Sequence, residues 1–254
     1  MIYKQIATDL RPTPAKSHYT FNLRDVAKVF QGCMMVRAKE VKDDKEFCRL
    51  WIHEIMRVFG DRLVNAEDCS YFQKMVADTA GRAFTYGWSK EDLFEDDENP
   101  LVYANFLRPP LEDGTIIYEP MKDVPKAKRI LTDQLDDYNM SNPTQMKLVF
   151  FRDAVAHICR ISRILMQPRG NAMLIGVGGS GKQSVTRMAC HMMETRFYQI
   201  EMIRGYNHLS FIENLKEIML YAGVEGKSIA FTLVDTQIVD ESFLEDVNNI
   251  LNTG

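Results

Sequence analysis

The chain has no excess of positive charge, no paired-cysteine motif and no apolar run long enough to enter a membrane, and each lack removes a class of function. A formal net charge of −4 over 254 residues leaves no electrostatic footprint for nucleic acid. The densest charge run, Glu91 to Glu98, is acidic and reads as a solvated loop. The five cysteines, Cys33, Cys48, Cys69, Cys159 and Cys190, are odd in number, widely spaced and without a CxxC pair. They support neither a disulfide framework nor a zinc site, and a reducing compartment fits them. No segment approaches the roughly 20 apolar residues of a membrane-spanning helix, and Lys4, Asp9 and Arg11 interrupt the start where a signal peptide needs an apolar core. The expectation is a soluble, intracellular protein with no nucleic-acid and no membrane partner. Internal repeats and low-complexity tracts are lacking too. His53-Glu54-Ile55-Met56-Arg57 begins like the HExxH of zinc proteases, but Arg57 stands where the second histidine must be, so that reading fails.

What is present is an ordinary globular balance, 46% hydrophobic and 26% charged, in a chain long enough for one large domain or two. Residues 15 to 110 carry helical periodicity. Val26, Phe30 and Met34 recur at intervals of four, and Phe47, Leu50, Trp51, Ile55, Val58 and Leu63 mark a second helix. Asp43 and Glu46 have the spacing of a capping box at its start, and Ser70 to Phe84 is a third helix. Short amphipathic helices must bury their stripes on one another, so a small helical bundle is expected. From Glu91 to Pro125 the chain turns acidic and then proline-rich, with one strand-like run at Thr115 to Tyr118, and a domain boundary falls there. The expected organisation is a helical domain over residues 1–125 and an α/β domain over 126–254.

In the second part Ala127 to Tyr138 and Leu148 to Leu165 read as helices, the latter stopped by Pro168 and Gly170. Ala172 to Val177 is expected as a strand, Gln183 to Glu194 as a helix, and Phe197 to Ile203 as a second strand. Ser210 to Tyr221 follows as a helix with Ser210 and Glu213 spaced as a capping box. Ile229 to Val234 is a nearly continuous apolar run, hence a buried strand with Asp235 at its tip, and a last helix begins near Phe243. Alternating strands and helices imply a small parallel sheet of three strands covered by helices.

Between the first strand and its helix lies Gly176-Val177-Gly178-Gly179-Ser180-Gly181-Lys182-Gln183-Ser184, which fits GxxxxGK. Glycines there let backbone amides point at phosphate oxygens, and the following helix adds the positive end of its dipole. Lys182 would reach the outer phosphates of a bound nucleotide. The pattern normally continues with a Ser or Thr whose hydroxyl ligates magnesium, yet that place holds Gln183, and Ser184 comes one residue late. A helix turns about 100° per residue, so Ser184 does not simply take over. Asp235 is the second element: phosphate-loop enzymes place at such a strand end the acid that holds the magnesium shell, and often a neighbour that activates water. Val234-Asp235-Thr236-Gln237 supplies one carboxylate, so one of the two roles is unfilled. Nucleotide binding is expected, with hydrolysis slow or absent.

Two long stretches then suggest a family. Pro168 to Ser184, PRGNAMLIGVGGSGKQS, together with DTQIVDESFLEDVNNILNTG from Asp235 to Gly254, resembles the fourth AAA+ module of an axonemal dynein heavy chain. HYTFNLRD from His18 to Asp25 and WIHEIMRVFGDRL from Trp51 to Leu63 resemble the small helical lid of the third module. The resemblance covers essentially the whole chain. It implies a segment of a ring-shaped microtubule motor, running from the third module's lid into the first half of the fourth module's large subdomain, with ATP or ADP as ligand and Mg2+ as a possible companion. By the same resemblance Arg24 is the lid arginine directed at the third module's nucleotide, and Leu148 to Asn171 form the adenine side of the fourth module's pocket. Asp235 is either the metal acid or the water-activating acid, depending on whether the strand end or the following helix sets the register. The implied partners are the remainder of the heavy-chain ring and, through the full motor, intermediate and light chains and microtubules; the implied location is cytoplasm, cytoskeleton and ciliary axoneme. An isolated segment of this kind would leave a sheet edge uncovered and be poorly soluble. Two other readings stand beside this one, a free-standing phosphate-loop NTPase or kinase and a non-catalytic scaffold module with structural nucleotide.

Overall fold

A computed structural model describes residues 1–84, 86–96 and 100–253. The chain divides into two compact units, Met1–Thr132 and Asp133–Gly254.

The first unit is a helical bundle with a short appended hairpin. Its helices are α1 (Ile2–Asp9), α2 (Leu23–Met34), α3 (Asp44–Val58), α4 (Ala66–Phe84) and α5 (Lys90–Phe94). Each start has a local cause. Asn22 and Asp25 form a reciprocal capping box at α2, as do Ser89 and Asp92 at α5. Asp43 accepts from the Glu46 amide at α3, but Glu46 reaches back to the Lys42 amide rather than to the cap residue. The α5 turn occupies the acidic run expected as a loop: its cap and the buried Leu93 give four apolar and acidic residues reason to coil. Asp97 and Glu98 of that run lie outside the described residues.

The bundle core gathers Ile6, Tyr19, Val29, Cys48, Ile52, Ile55, Phe72, Met75, Val76 and Ala80. On α2 the buried stripe runs through Asp25, Val29 and Gly32, with Val26 and Cys33 against the core. Phe30 and Met34, expected on the core face with Val26, are instead 64% and 82% exposed. The capping box fixes where the helix starts, and Asp25 is drawn inward, so the face centred on Val29 is the one that turns in. Two short strands, β1 (Tyr103–Ala104) and β2 (Glu119–Pro120), pair antiparallel. Pairing therefore falls just after the expected Thr115 to Tyr118 run, whose Ile117 and Tyr118 are buried.

Helix α6 (Val124–Ser141) begins in the first unit and ends in the second. The second unit continues with α7 (Arg152–Leu165), α8 (Lys182–Met192), β3 (Arg196–Gln199), α9 (His208–Gly223), β4 (Ile229–Thr232) and α10 (Ser242–Thr253). β3 and β4 are parallel, with Arg196 opposite Ile229 and Gln199 opposite Thr232. Parallel neighbours need a crossover, and α9 supplies it. Phe211 and Leu215 of α9, Phe243 of α10 and Ile200 form a buried cluster, in which the Phe211 and Phe243 rings stack 4.2 Å apart at 6°. Helix α7 lies on α8, burying Val155, Ile158, Ile161, Met188, Ala189 and Cys190.

Helix α9 and the 172–177 run depart from expectation. α9 is capped by Asn207, which accepts from the Ser210 amide, rather than by a Ser210 and Glu213 box. The run Ala172 to Val177 is not a strand: among the described residues the sheet has only β3 and β4, and Met173, Ile175 and Val177 are about four-fifths exposed. An apolar run becomes a strand only where a partner strand accepts its backbone groups. Just before it, position 170 accepts only glycine, because a Cβ there would sit 2.0 Å from the Ile164 carbonyl oxygen.

Candidate functional site

The glycine loop is built at the entry of α8. Gly181 is the residue before the helix and takes φ 81°, and Gly179 takes φ 76°, a left-handed backbone that L side chains adopt only under strain. A Cβ at Gly178, Gly179 or Gly181 would meet nothing within 4 Å, so these residues border open space rather than packed protein. Glycine is therefore required by conformation at two of them and leaves a clear approach to the helix entry.

Lys182, the first residue of α8, folds back over the loop. Its Nζ donates to the Gly176 carbonyl at 2.6 Å, to the Val177 carbonyl at 2.8 Å and to Ser180 Oγ at 3.3 Å. One ammonium group thus holds three oxygens of the loop and bends it around a positive centre at the helix N-terminus. The Ser180 amide closes a turn onto the Val177 carbonyl. Thr186 Oγ1 donates to the Lys182 carbonyl at 2.8 Å, steadying the first turn from within the helix. Amides at a helix start, a left-handed glycine pair and a lysine are the parts from which anion cradles are made, and these residues fit a nucleotide polyphosphate.

The magnesium side is less complete. Gln183 is exposed on the helix entry and Ser184 is half-buried one residue on. Asp235 lies in a 3-10 turn, Asp235–Gln237, that follows β4 rather than at the strand's last residue. It is exposed, and among the described residues its carboxylate has no hydrogen-bond or ion-pair partner. The turn itself is held by a residue that sequence reasoning passed over. Gln237, 5% exposed, donates from Nε2 to the Ile200 carbonyl at 2.6 Å and accepts the Val234 amide on Oε1 at 3.0 Å. A glutamine just after an acid at a strand end was the available signal. Among the described residues no cluster of His, Cys, Asp and Glu could hold a metal ion by itself, and no helix is long and apolar enough to cross a membrane.

The remaining predicted residue, Arg24, belongs to the first unit, exposed on the first turn of α2. That turn is anchored from behind. Asp25, 2% exposed, takes the Arg62 guanidinium on both carboxylate oxygens and the Asn22 amide on Oδ2.

Comparison with known proteins agrees with this order of parts. A model of the AAA+ lid domain matches residues 1–93, and a model of the P-loop containing dynein motor region D4 matches residues 146–254. Across the whole of this chain, human dynein axonemal heavy chain 6 is 46% identical and mouse dynein axonemal heavy chain 1 is 45% identical. The chain belongs to the axonemal dynein heavy chain family. The Chlamydomonas reinhardtii dynein-1-beta heavy chain of the flagellar inner arm I1 complex is 41% identical, again over the full chain. The chain spans about 6% of the length of these relatives. Within the family it is a segment made of an AAA+ lid followed by the D4 phosphate-loop region, and a phosphate-loop domain is a nucleotide-binding one. The helical bundle and the small parallel sheet expected from sequence are the lid and part of that domain.

Proposed function

We propose that this segment holds ATP or ADP as a regulatory site of a dynein motor ring and itself hydrolyses ATP slowly or not at all. The observation that carries the reading is Lys182, drawn onto the Gly176 and Val177 carbonyls at the entry of α8 beneath two left-handed glycines. Bound nucleotide would exchange those carbonyls for phosphate oxygens as the lysine's partners and add negative charge at the positive end of the helix. Gly176 to Ser184 form the phosphate side. Asp235 is the single acid available to a Mg2+ shell or to a water, and Gln183 offers no hydroxyl where one is usual; both weaken hydrolysis more than binding. Arg24 is the lid's arginine toward the preceding module's nucleotide.

In the motor, this site would bias ATP-driven movement on microtubules, with the rest of the heavy-chain ring as direct partner and intermediate and light chains reached through it. The relatives' names point to axonemes and flagella as the place of work. A scaffold role with structural nucleotide is the second reading, favoured by the exposed Gln183 and the unpartnered Asp235. ATP titration with and without magnesium, followed by a turnover assay, separates them. The regulatory reading expects magnesium-assisted binding with little turnover; binding indifferent to magnesium supports the scaffold, and rapid turnover overturns both.

A further inference from the structure

The first turn of α2 is held by more than its cap. Asn22 and Asp25 already complete a capping box, which satisfies free amides at the helix start. Yet Asp25 is buried to 2% exposure and receives a bidentate guanidinium from Arg62, at the end of the 3-10 turn Gly60–Arg62 that follows α3. The same Arg62 donates from Nη1 to the Thr20 carbonyl at 3.2 Å, stacks its guanidinium over Phe21 at 5.9 Å, and contacts His18 Nε2 through its own carbonyl at 3.0 Å. His18, Thr20, Phe21 and Asp25, on both sides of the helix start, are thus all touched by one residue. Burying a carboxylate with a guanidinium is a weak route to stability, because desolvation offsets the attraction. Its geometric content is larger: a planar fork on a carboxylate fixes orientation as well as distance. What that fork orients is the turn displaying Arg24, exposed and directly adjacent to Asp25.

We infer that Arg62 and Asp25 are positioning residues that hold the first turn of α2 so that Arg24 reaches the nucleotide of the preceding AAA+ module. The inference rests on the role proposed above for Arg24. It assigns to the lid a rigid relay, in which the α3 end sets where the arginine points. Lysine at position 62 would keep the charge but lose the fork, and would hold the turn at a distance without fixing its angle.

The test uses the heavy chain that carries this segment, photolabelled with 8-azido-ATP over a concentration series, the labelled peptides being located by mass spectrometry. This reads the preceding module's site apart from the Gly176 to Lys182 site. Arg24→Ala and Arg62→Gln are each expected to raise the half-labelling concentration at the preceding module roughly tenfold, a coupling within the range of residues in one network. In the double variant Arg62→Gln should add nothing further, and labelling of the Lys182 loop should not change in any of them. Arg62→Lys is expected to resemble Arg62→Gln, and it replaces that variant under the same criteria should the latter not fold. An effect of Arg24→Ala with none from Arg62→Gln, or effects that simply multiply, overturns the relay and leaves Arg24's role standing. No effect from Arg24→Ala defeats that role and the relay together.

Discussion

Gln237 joins the end of β3 to the turn that carries Asp235: its amide group donates to the Ile200 carbonyl and accepts the Val234 amide, with the residue only 5% exposed. Gln237→Leu preserves much of the volume and removes both bonds, leaving a buried carbonyl and a half-buried amide without partners. The expected cost is about 2 kcal/mol, read as a lower urea midpoint. A change within the noise of surface substitutions, about 0.5 kcal/mol, would show that the turn holds without it.

Two isoleucines in the second unit should behave oppositely. Ile158 is fully buried between α7 and α8, and Ile158→Ala should cost about 2–5 kcal/mol. Ile175 is 81% exposed, and Ile175→Ser should be close to neutral, about 0.5 kcal/mol or less. Equal destabilisation by both would mean that the 172–177 run is packed rather than open.

Acid should loosen the first unit partly through Asp68. Burial pushes its carboxyl up, but hydrogen bonds from Lys16 and Tyr19 outweigh this and hold it below the usual carboxylate range. A carboxyl lowered on folding stabilises above its unfolded pKa, and that stability is lost as pH falls through the folded value. Asp68→Asn should therefore melt below the unsubstituted protein at pH 7, with the gap closing as pH drops below 4 or so. A gap independent of pH would remove the ionised pair from the explanation.

Cysteine reactivity should follow burial. The Cys48 and Cys190 thiols lie in apolar surroundings that push each up to about 11, so almost no thiolate exists at pH 8. Iodoacetamide at that pH should leave both unmodified until denaturant is added, as mass spectrometry of the peptides would reveal. Rapid native-state labelling of Cys190 would contradict the α7 and α8 packing.

Much of this architecture was legible in the residues, and the parts that were not share a cause. The glycine loop could be read because its chemistry depends on residue type at fixed spacing, which is a local property. Helices α3, α7 and α10 followed from apolar period for the same reason. What failed depended on distant partners. Ala172 to Val177 has strand composition, but composition does not supply a neighbouring strand. On α2 the spacing of Val26, Phe30 and Met34 pointed to one face, but the face that turned in carries Val29 and Gly32, with Asp25 buried against Arg62. Asp235 was expected on a strand tip, whereas β4 stops at Thr232 and Gln237 curls the next residues into a turn. The loop's left-handed glycines and its lysine were thus legible in the residues, and the turn that carries Asp235 was not.

Backbone conformation offers a separate check on the loop. Gly179 at φ 76° has open space where a Cβ would lie, so Gly179→Ala introduces strain rather than a clash, about 1–2 kcal/mol. The loop should relax away from this shape and nucleotide affinity should fall, while the thermal midpoint moves little because the loop is exposed. Affinity unchanged by Gly179→Ala would mean that nucleotide binding does not use this conformation.

Titration of the chain with ATP by calorimetry, alongside Lys182→Ala, tests the central claim most directly. Saturable binding that disappears in Lys182→Ala, with the fold intact by circular dichroism, is the result expected of a phosphate loop gathered around that ammonium group. Binding that persists undiminished in Lys182→Ala, or no saturable binding by the unsubstituted chain, would contradict it.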